Sequence, residues 1–437
     1  MSTCRERELE RRATGRRIAV VGGGISGIAA ALRARDSGHA VTLFEAEPIL
    51  GGHARTLSVE SADGPSSLDT GFLVYNEATY PGFTGFLQRL GVQTQRSDMS
   101  FGASCPQHGF EYGSRGLRSM LAQPSNLLRP GRVRMLADFL RFYHASGAAL
   151  REPAAAPATL GGLLADGYGN EFRDHFLVPL ISAVWSMPAG RVGDFPLAFL
   201  LRFLANHGLL SVGGRLPWRT VTGGSRSYVD RAAVLLGDGV RLGTPVRTVR
   251  RDRLGVSVVS GSGTERFDAI VLATHADVSL RLLERPSSVE RRALKALAYS
   301  PSRVVTHTDA GLMPRRRAAW CSWNYRSTSC GDGDSGVSVT YHLNRLQGLK
   351  VRQNYFVSVN PSSEPAPGTV LDETVMSHPL YTEASVGAQA ALRSVGGALR
   401  TAYAGAYLGH GFHEDGYRSG VEAVDALAGL TALVGAA

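Results

Sequence analysis

The fold is decided by the stretch Ile18-Ala19-Val20-Val21-Gly22-Gly23-Gly24-Ile25-Ser26-Gly27. Its first four residues form a short apolar, β-branched run, which is typical of a buried parallel strand. The glycines that follow have the spacing G-x-G-x-x-G, and the Ala-rich residues 28–37 predict a helix. A strand, a glycine-rich turn and a helix in this order indicate a dinucleotide-binding fold.

Each glycine of this loop has its own physical role. Gly22 permits the tight turn, Gly24 lets a pyrophosphate approach the backbone, and Gly27 lets the helix pack closely on the strand. The helix N-terminus presents unpaired N–H groups and a positive dipole end to the phosphates. Residues 41–44 predict a second strand, which Glu45 ends at the position where such folds place an acid for the adenosine ribose.

Composition bounds the class of protein. The chain has 437 residues, of which 43% are hydrophobic, so roughly two or three domains with an apolar core are expected. Its net charge is +10, and the Arg-rich residues 1–16 predict a flexible tail. Four cysteines without a CxxC pair argue against structural zinc and a disulfide scaffold. We therefore expect a cytoplasmic protein that holds no metal and binds no nucleic acid.

Features after the second strand favour FAD over NAD. The segment Gly51-Gly52-His53 lets backbone pass close to a bulky cofactor. A buried strand is predicted over residues 269–274, ending at Thr274, and residues 404–416 precede a helical run at 421–433. The N-terminus of that last helix is expected to face the flavin pyrimidine end, where negative charge develops on reduction.

Several motifs in the chain carry a resemblance to a known family. They are DTGFLVYN at residues 69–76, SDMSF at 97–101, NHGLL at 206–210, ATHAD at 273–277, NRLQGL at 344–349 and GFHEDG at 411–416. Together with the glycine loop they resemble the flavin amine-oxidase superfamily. The set is most similar to the bacterial predicted NAD/FAD-binding proteins, which are associated with cyclopropane-fatty-acid synthases.

The resemblance implies non-covalent FAD, action on a lipid acyl chain and a lipid methyltransferase as partner. Two departures bear on the chemistry. Ala406 stands where many members place an acid for the flavin ribityl chain, and the chain has only Lys295 and Lys350 to supply the lysine that amine oxidases often use near the flavin. No residue is assigned as catalytic.

The loop and the resemblance together give a set of expected site residues. Those expected at the cofactor are Gly22, Gly24, Ile25, Ser26, Gly27, Glu45, Ala46, Gly51, Gly52, His53, Val246, Thr274, Gly405, Gly411, Phe412 and Gly416. Those expected in an apolar substrate cavity are Tyr75, Trp185, Trp323 and Tyr341. For any one of these aromatic residues, a place in the core is the competing interpretation.

We predict an α/β fold with a Rossmann-type FAD-binding domain of amine-oxidase type and a discontinuous α+β substrate domain. The FAD-binding domain is assigned to residues 17–74, 219–284 and 400–437. The substrate domain is assigned to residues 75–218 and 285–399. Its first part is expected to be mostly helical and its second part to form a sheet.

One predicted helix of the first insert is both apolar and basic. The side chains of Val133, Leu136, Phe139, Leu140 and Tyr143 are expected on one face, with arginines beside them. Such a helix either rests on a phospholipid surface or packs on the core in the ordinary way. The first alternative would make the cytoplasmic protein membrane-peripheral.

Three functions remain open from the sequence. The first is an FAD-dependent dehydrogenase or desaturase of an apolar substrate such as a lipid acyl chain. The second is a flavin oxidase, desaturase or isomerase of a specialised metabolite. The third is a flavoprotein that assists a lipid methyltransferase without net oxidation.

Overall fold

The protein is described here from a computed structural model, which covers residues 15–125, 130–210, 216–327 and 338–428. Nearly all of the expected tail lies outside these residues. Cys4 and Cys330 lie outside them too, while Cys105 and Cys321 are buried free thiols. No helix of the described residues is long and apolar enough to cross a membrane.

The strands are numbered in chain order. They are β1 (Arg17–Val21), β2 (Ala40–Phe44), β3 (Thr56–Val59), β4 (Ser66–Asp69), β5 (Tyr75–Asn76), β6 (Thr94–Arg96), β7 (Phe101–Cys105), β8 (Phe110–Gly113), β9 (Trp218–Val221), β10 (Val240–Arg241), β11 (Val246–Arg251), β12 (Val256–Ser260), β13 (Gly263–Phe267), β14 (Ala269–Leu272), β15 (Tyr299–His307), β16 (Trp323–Arg326), β17 (Ser338–His342), β18 (Phe356–Val359), β19 (Val370–Pro379) and β20 (Thr401–Tyr403).

The α-helices are numbered in the same way. They are α1 (Ile25–Asp36), α2 (Pro81–Arg89), α3 (Leu117–Met120), α4 (Pro130–Arg151), α5 (Leu160–Leu164), α6 (Asn170–Phe172), α7 (Val178–Trp185), α8 (Leu197–Asn206), α9 (Arg226–Leu236), α10 (Ala276–Leu282), α11 (Ser288–Ala296), α12 (Leu343–Leu346), α13 (Glu383–Ser394) and α14 (His413–Ala428).

One half of the molecule is built around a parallel five-stranded sheet, with the strand order β10-β2-β1-β14-β20. Its strands come from three separate stretches of the chain. Strand β1 is buried on both faces, because Ile18 and Val20 pack on one side while Ala19 and Val21 pack on the other. From β1 the chain crosses to β2 on one side, while β14 pairs on the other side. Ligands of such sheets bind at this reversal, beyond the carboxyl ends of the strands.

The other half of the molecule is built around a seven-stranded sheet, with the strand order β19-β15-β18-β17-β16-β7-β8. The first insert supplies β7 and β8, although its sequence pattern predicts mostly helices. The reason is that β7, Phe-Gly-Ala-Ser-Cys, is buried along four of its five residues and therefore shows no apolar–polar alternation. Helices α4 to α8 pack beside this sheet around a core that includes Phe172, Ile181 and Leu200.

Candidate flavin site

The glycines of the first loop differ in what surrounds them. A Cβ on Gly22, where φ is +103°, would lie 2.7 Å from the Ala273 carbonyl oxygen, and one on Gly27 would lie 1.8 Å from the Gly22 oxygen. Both positions therefore require glycine for the fold itself. Within the described part of the chain, a Cβ on Gly24 would meet no heavy atom within 4 Å. Gly24 thus faces the open space that the sequence assigns to a pyrophosphate.

The N-terminus of α1 is suited to hold an anion in that space. Its N-cap is Gly24, no side chain caps it, and its first turn has no acidic residue. The side chains of Ile25 and Ser26 are buried, so only their backbone N–H groups can serve a phosphate. The residues present therefore fit a dinucleotide at this helix.

Glu45 lies beside the loop as the sequence predicts. Its carboxylate accepts a hydrogen bond from the Gly23 amide at 2.5 Å. The amide of Thr244 donates to the Glu45 carbonyl oxygen at 2.8 Å, which places the segment before Val246 next to Glu45. The structure thus brings the residues expected at ribose and adenine together, although they are about two hundred residues apart in the sequence.

The second glycine segment crosses directly over the first. The Gly51 amide donates to the Gly23 carbonyl oxygen at 2.9 Å, and a Cβ on Gly52 would lie 3.4 Å from the Gly24 Cα. Ala46 is exposed beside this crossing, and the Thr274 methyl lies against Gly22.

Three histidines lie close together beside this crossing. His53 follows Gly52 directly, the His378 ring lies 5.3 Å from the His53 ring between centroids, and His413 faces His53. Desolvation lowers the pKa of His53 and of His413 to about 3, and the pKa of His378 to about 4. All three side chains nevertheless remain only half-buried. The three rings therefore form a partly accessible group next to the glycine loop.

Two carboxylates at the start of α14 accept hydrogen bonds from backbone amides. The Asp415 carboxylate accepts hydrogen bonds from the amides of His410 and Phe412, and its burial raises its pKa. The Glu414 carboxylate accepts from the amides of Gly82 and Phe83 and so caps α2. These contacts shape the loop that enters the helix.

The C-terminal glycines have packing roles in this structure. A Cβ on Gly405 would overlap the Tyr407 ring at 2.1 Å, and one on Gly416 would lie 2.7 Å from the Ile25 side chain. Gly416 therefore packs directly against α1. Gly411, with φ at +95°, permits the turn beside Tyr381.

The four aromatic residues expected at the substrate fall into three clusters. Trp323 and Tyr341 are cross-strand partners with ring centroids 4.9 Å apart. Trp185 belongs to the helical core and donates its indole N–H to the His410 carbonyl oxygen at 3.0 Å. Tyr75 is only 1% exposed and packs on Phe83. The structure therefore brings Trp323 and Tyr341 together, places Trp185 on the α14 loop, and does not bring Tyr75 to them.

Sequence reasoning missed several residues that pack around the predicted site residues. Phe203 stacks on Phe412 with centroids 4.7 Å apart, and His207 stacks on Phe203 at 3.9 Å. His378 approaches His53 at 5.3 Å between ring centroids. Buried Asp69 accepts from the Ser225 amide, and burial raises its pKa to about 6. The motif NHGLL contains His207, but no local signal marks His378.

Comparisons with known proteins agree with this geometry. The family described as Flavin containing amine oxidoreductase matches residues 25–376. Carotenoid phi-ring synthase from Streptomyces griseus is 28% identical over 287 residues, which are 61% of this chain and 53% of the relative. FAD-dependent oxidoreductase dpchF from Colletotrichum higginsianum is 26% identical over 243 residues, which are 54% of this chain and 48% of the relative. The chain thus spans about half the length of the curated relatives it matches.

Solved structures share the fold. Cyclohexylamine oxidase from Brevibacterium oxydans IH-35A superposes with a TM-score of 0.68 at 17% identity, over 95% of this chain and 99% of that one. The family match covers most of the chain, and the glycine loop and the α1 N-terminus fit a dinucleotide. The chain belongs to the flavin containing amine oxidoreductase family, and its cofactor is FAD.

Proposed function

We propose that this protein is an FAD-dependent oxidoreductase that removes hydride from a C–H bond of an apolar substrate, with a lipid acyl chain as the first candidate. The observation that carries the proposal is that two aromatic side chains, Trp323 of the second insert and Phe412 before α14, remain only half-buried. Each packs on a buried ring, Trp323 on Tyr341 and Phe412 on Phe203, with centroids 4.9 and 4.7 Å apart. A long apolar substrate gains its affinity from burial against such surfaces.

The chain's own residues would bind, orient and exclude water. FAD supplies the hydride acceptor when it is bound. The α1 N-terminus and Gly24 would hold the pyrophosphate, and Glu45 the ribose. These aromatic side chains would exclude water from the reacting carbon. Oxygen or a redox partner would reoxidise the cofactor.

The relatives support an apolar substrate in general terms. One is named for the formation of a carotenoid ring, and a carotenoid is an apolar polyene. This also favours the second candidate, a flavin enzyme of a specialised metabolite. The third candidate, an assistant of a lipid methyltransferase, requires no change in the flavin.

Trp323→Ala should weaken substrate-driven reduction of the flavin without loss of FAD. If Trp323 gives the substrate about 60 Å² of apolar contact, the concentration for half-maximal reduction should rise roughly tenfold. The measurement is anaerobic bleaching of the flavin absorbance by lipid and carotenoid extracts, followed by mass spectrometry of the products.

The control is Trp320→Ala, because Trp320 packs in a separate cluster with Met313 and Phe356. It should lower thermal stability but leave the concentration dependence unchanged. Bleaching by none of the apolar extracts would contradict the oxidoreductase proposal and favour the assistant. Loss of FAD from the Trp323 variant would instead place that residue in the core.

We propose that helix α4 brings the protein to anionic phospholipid surfaces. Val133, Leu136 and Leu140 are 64%, 60% and 49% exposed and follow each other at helical spacing. Phe139 does not share this face, because it turns inward onto Phe176. Arg134, at 65% side-chain exposure, supplies positive charge beside the stripe.

Leu136→Glu should reduce sedimentation with phosphatidylglycerol vesicles roughly tenfold, since it removes about 1.5 kcal/mol of apolar burial and adds a repelled charge. Val234→Glu is the matched control, because Val234 is exposed on α9, away from this helix. Equal binding by both variants would contradict α4 as the docking surface. Equal sedimentation of the wild-type protein with vesicles made only of phosphatidylcholine would contradict the role of charge.

A further inference from the structure

Three imidazoles from distant parts of the chain meet where the two halves of the molecule join. The ring of His53 lies 6.0 Å from that of His275 and 5.3 Å from that of His378, measured between centroids. His53 follows the glycine crossing, His275 follows β14, and His378 lies near the end of β19. We call these residues the histidine triad.

The hydrogen bonds of the triad leave proton-accepting capacity unused. His53 is hydrogen-bonded through its ring to the Ser377 carbonyl oxygen, so its other nitrogen is an acceptor while the ring is neutral. The His378 Nδ1 atom is buried and has no hydrogen-bond partner among the residues that the structure describes. The His275 ring stacks on Tyr299 at 4.3 Å. A buried nitrogen without a partner is costly, and such a position calls for an explanation.

Burial keeps the triad neutral, although Asp277 favours the charged form of His275. His413 faces His53 from the start of α14, and Asp277 faces His275 from α10. Tyr299 packs on His275, and the Tyr228 hydroxyl is hydrogen-bonded to His413. Desolvation lowers the pKa of His53 to about 3 and of His378 to about 4, and it also lowers the pKa of His275. At neutral pH all three rings can therefore accept a proton.

The triad lies next to the loop that would hold the cofactor. Gly52 crosses Gly24, and His53 is the next residue along the chain. A dinucleotide whose pyrophosphate lies at Gly24 would therefore have the triad beside it. We propose that the histidine triad takes up one proton when the bound flavin is reduced.

The physical reason is electrostatic. A hydride brings two electrons and one proton to the oxidised flavin and so lowers its charge by one. A negative charge within about 4–6 Å raises the pKa of an imidazole by about 1 to 3, and more strongly where water is excluded. Reduction would thereby raise the pKa of the triad toward the working pH, and the unpaired Nδ1 atom of His378 would bind a proton from the solvent.

The same proton balance fits the proposed dehydrogenation, and this extension rests on the proposed function. Loss of a hydride from one carbon and of a proton from its neighbour forms a C=C bond. The hydride electrons go to the flavin, and the proton would go to the triad. The triad would then be the base that the sequence did not reveal.

The test needs no substrate. The holoprotein is reduced stepwise with dithionite in the presence of a redox dye, and the flavin midpoint potential is measured from pH 5 to pH 8. One additional proton per two electrons steepens the dependence on pH by about 30 mV per unit, which is a tenfold change in equilibrium constant for a two-electron couple. This steepening is expected where the pH lies between the pKa values of the triad in the oxidised and reduced protein.

His378→Gln should remove the additional slope while FAD content and the oxidised spectrum stay unchanged. His144→Gln is the control, because His144 is exposed on α4. Equal slopes for wild type and His378→Gln would overturn the proposal. Because dithionite supplies the electrons, this result is independent of whether an acyl chain is the substrate.

A second measurement covers the case in which the variant does not fold. Histidine-labelled wild-type holoprotein is titrated by NMR in the oxidised and the reduced state. The proposal expects a buried imidazole whose pKa rises by at least 1 on reduction, in line with the effect of a nearby charge. If every buried imidazole keeps its pKa, the triad takes up no proton and the proposal fails.

Discussion

Gly24→Asp should abolish FAD binding while leaving the fold intact. The side chain enters open space, so the loop itself is not distorted. Its carboxylate would stand next to the pyrophosphate. Two like charges 4 Å apart near a protein surface repel by about 4 kcal/mol, which corresponds to a roughly thousandfold loss of affinity.

FAD content per chain is measured from the absorbance of the purified protein, and the fold from circular dichroism. Gly261→Asp is the matched control, since Gly261 also faces open space but lies in the turn between β12 and β13. It should keep full FAD occupancy. Full occupancy in the Gly24 variant would show that the phosphates lie elsewhere.

Glu290→Ala should destabilise the fold by roughly 3 kcal/mol. Glu290 and Arg251 form an ion pair whose side chains are only 4% and 3% exposed, with a nitrogen–oxygen distance of 2.6 Å. The Tyr403 hydroxyl also donates to Glu290 at 2.6 Å. The variant would leave the guanidinium buried without its partner, and it would disconnect α11 from β11 and β20. Urea unfolding at pH 7 measures the effect.

Glu284→Ala is the control, because Glu284 pairs with Arg250, the neighbour of Arg251, at 41% and 58% exposure. It should cost less than about 1 kcal/mol. Similar losses in both variants would contradict the role of the buried pair.

The pH dependence of the Glu290 effect follows from its pKa. Burial alone would raise this pKa, but hydrogen bonds from Arg251, Tyr403 and the Ser287 amide outweigh it and lower the pKa to about 2. The ionised form is therefore favoured in the folded protein. The stabilisation should be complete above about pH 4.5 and should decline as the pH falls toward 2. The difference between wild type and Glu290→Ala should shrink over that range.

The sequence by itself determined the cofactor class and the parallel sheet at its site. These features depend on short-range spacing, because strand, glycine turn and helix are consecutive in the chain. Glu45 comes directly after β2. Because β2 pairs in parallel with β1, Glu45 lies at the same edge of the sheet as the glycine loop that follows β1. The family resemblance extended this prediction of the fold to nearly the whole chain.

Only the tertiary structure decided which distant segments of the chain contact each other at the site. His378 reaches His53 because β19 pairs with β15 in the register that places Ser300 opposite His378. Trp185 meets the α14 loop, whereas Tyr75 packs in another core, although both belong to the first insert. Such contacts join residues up to some three hundred positions apart, and they are fixed by strand register and packing between elements rather than by local propensity. For this reason the sequence predicted a phosphate-binding loop, and only the assembled fold revealed the histidines beside it.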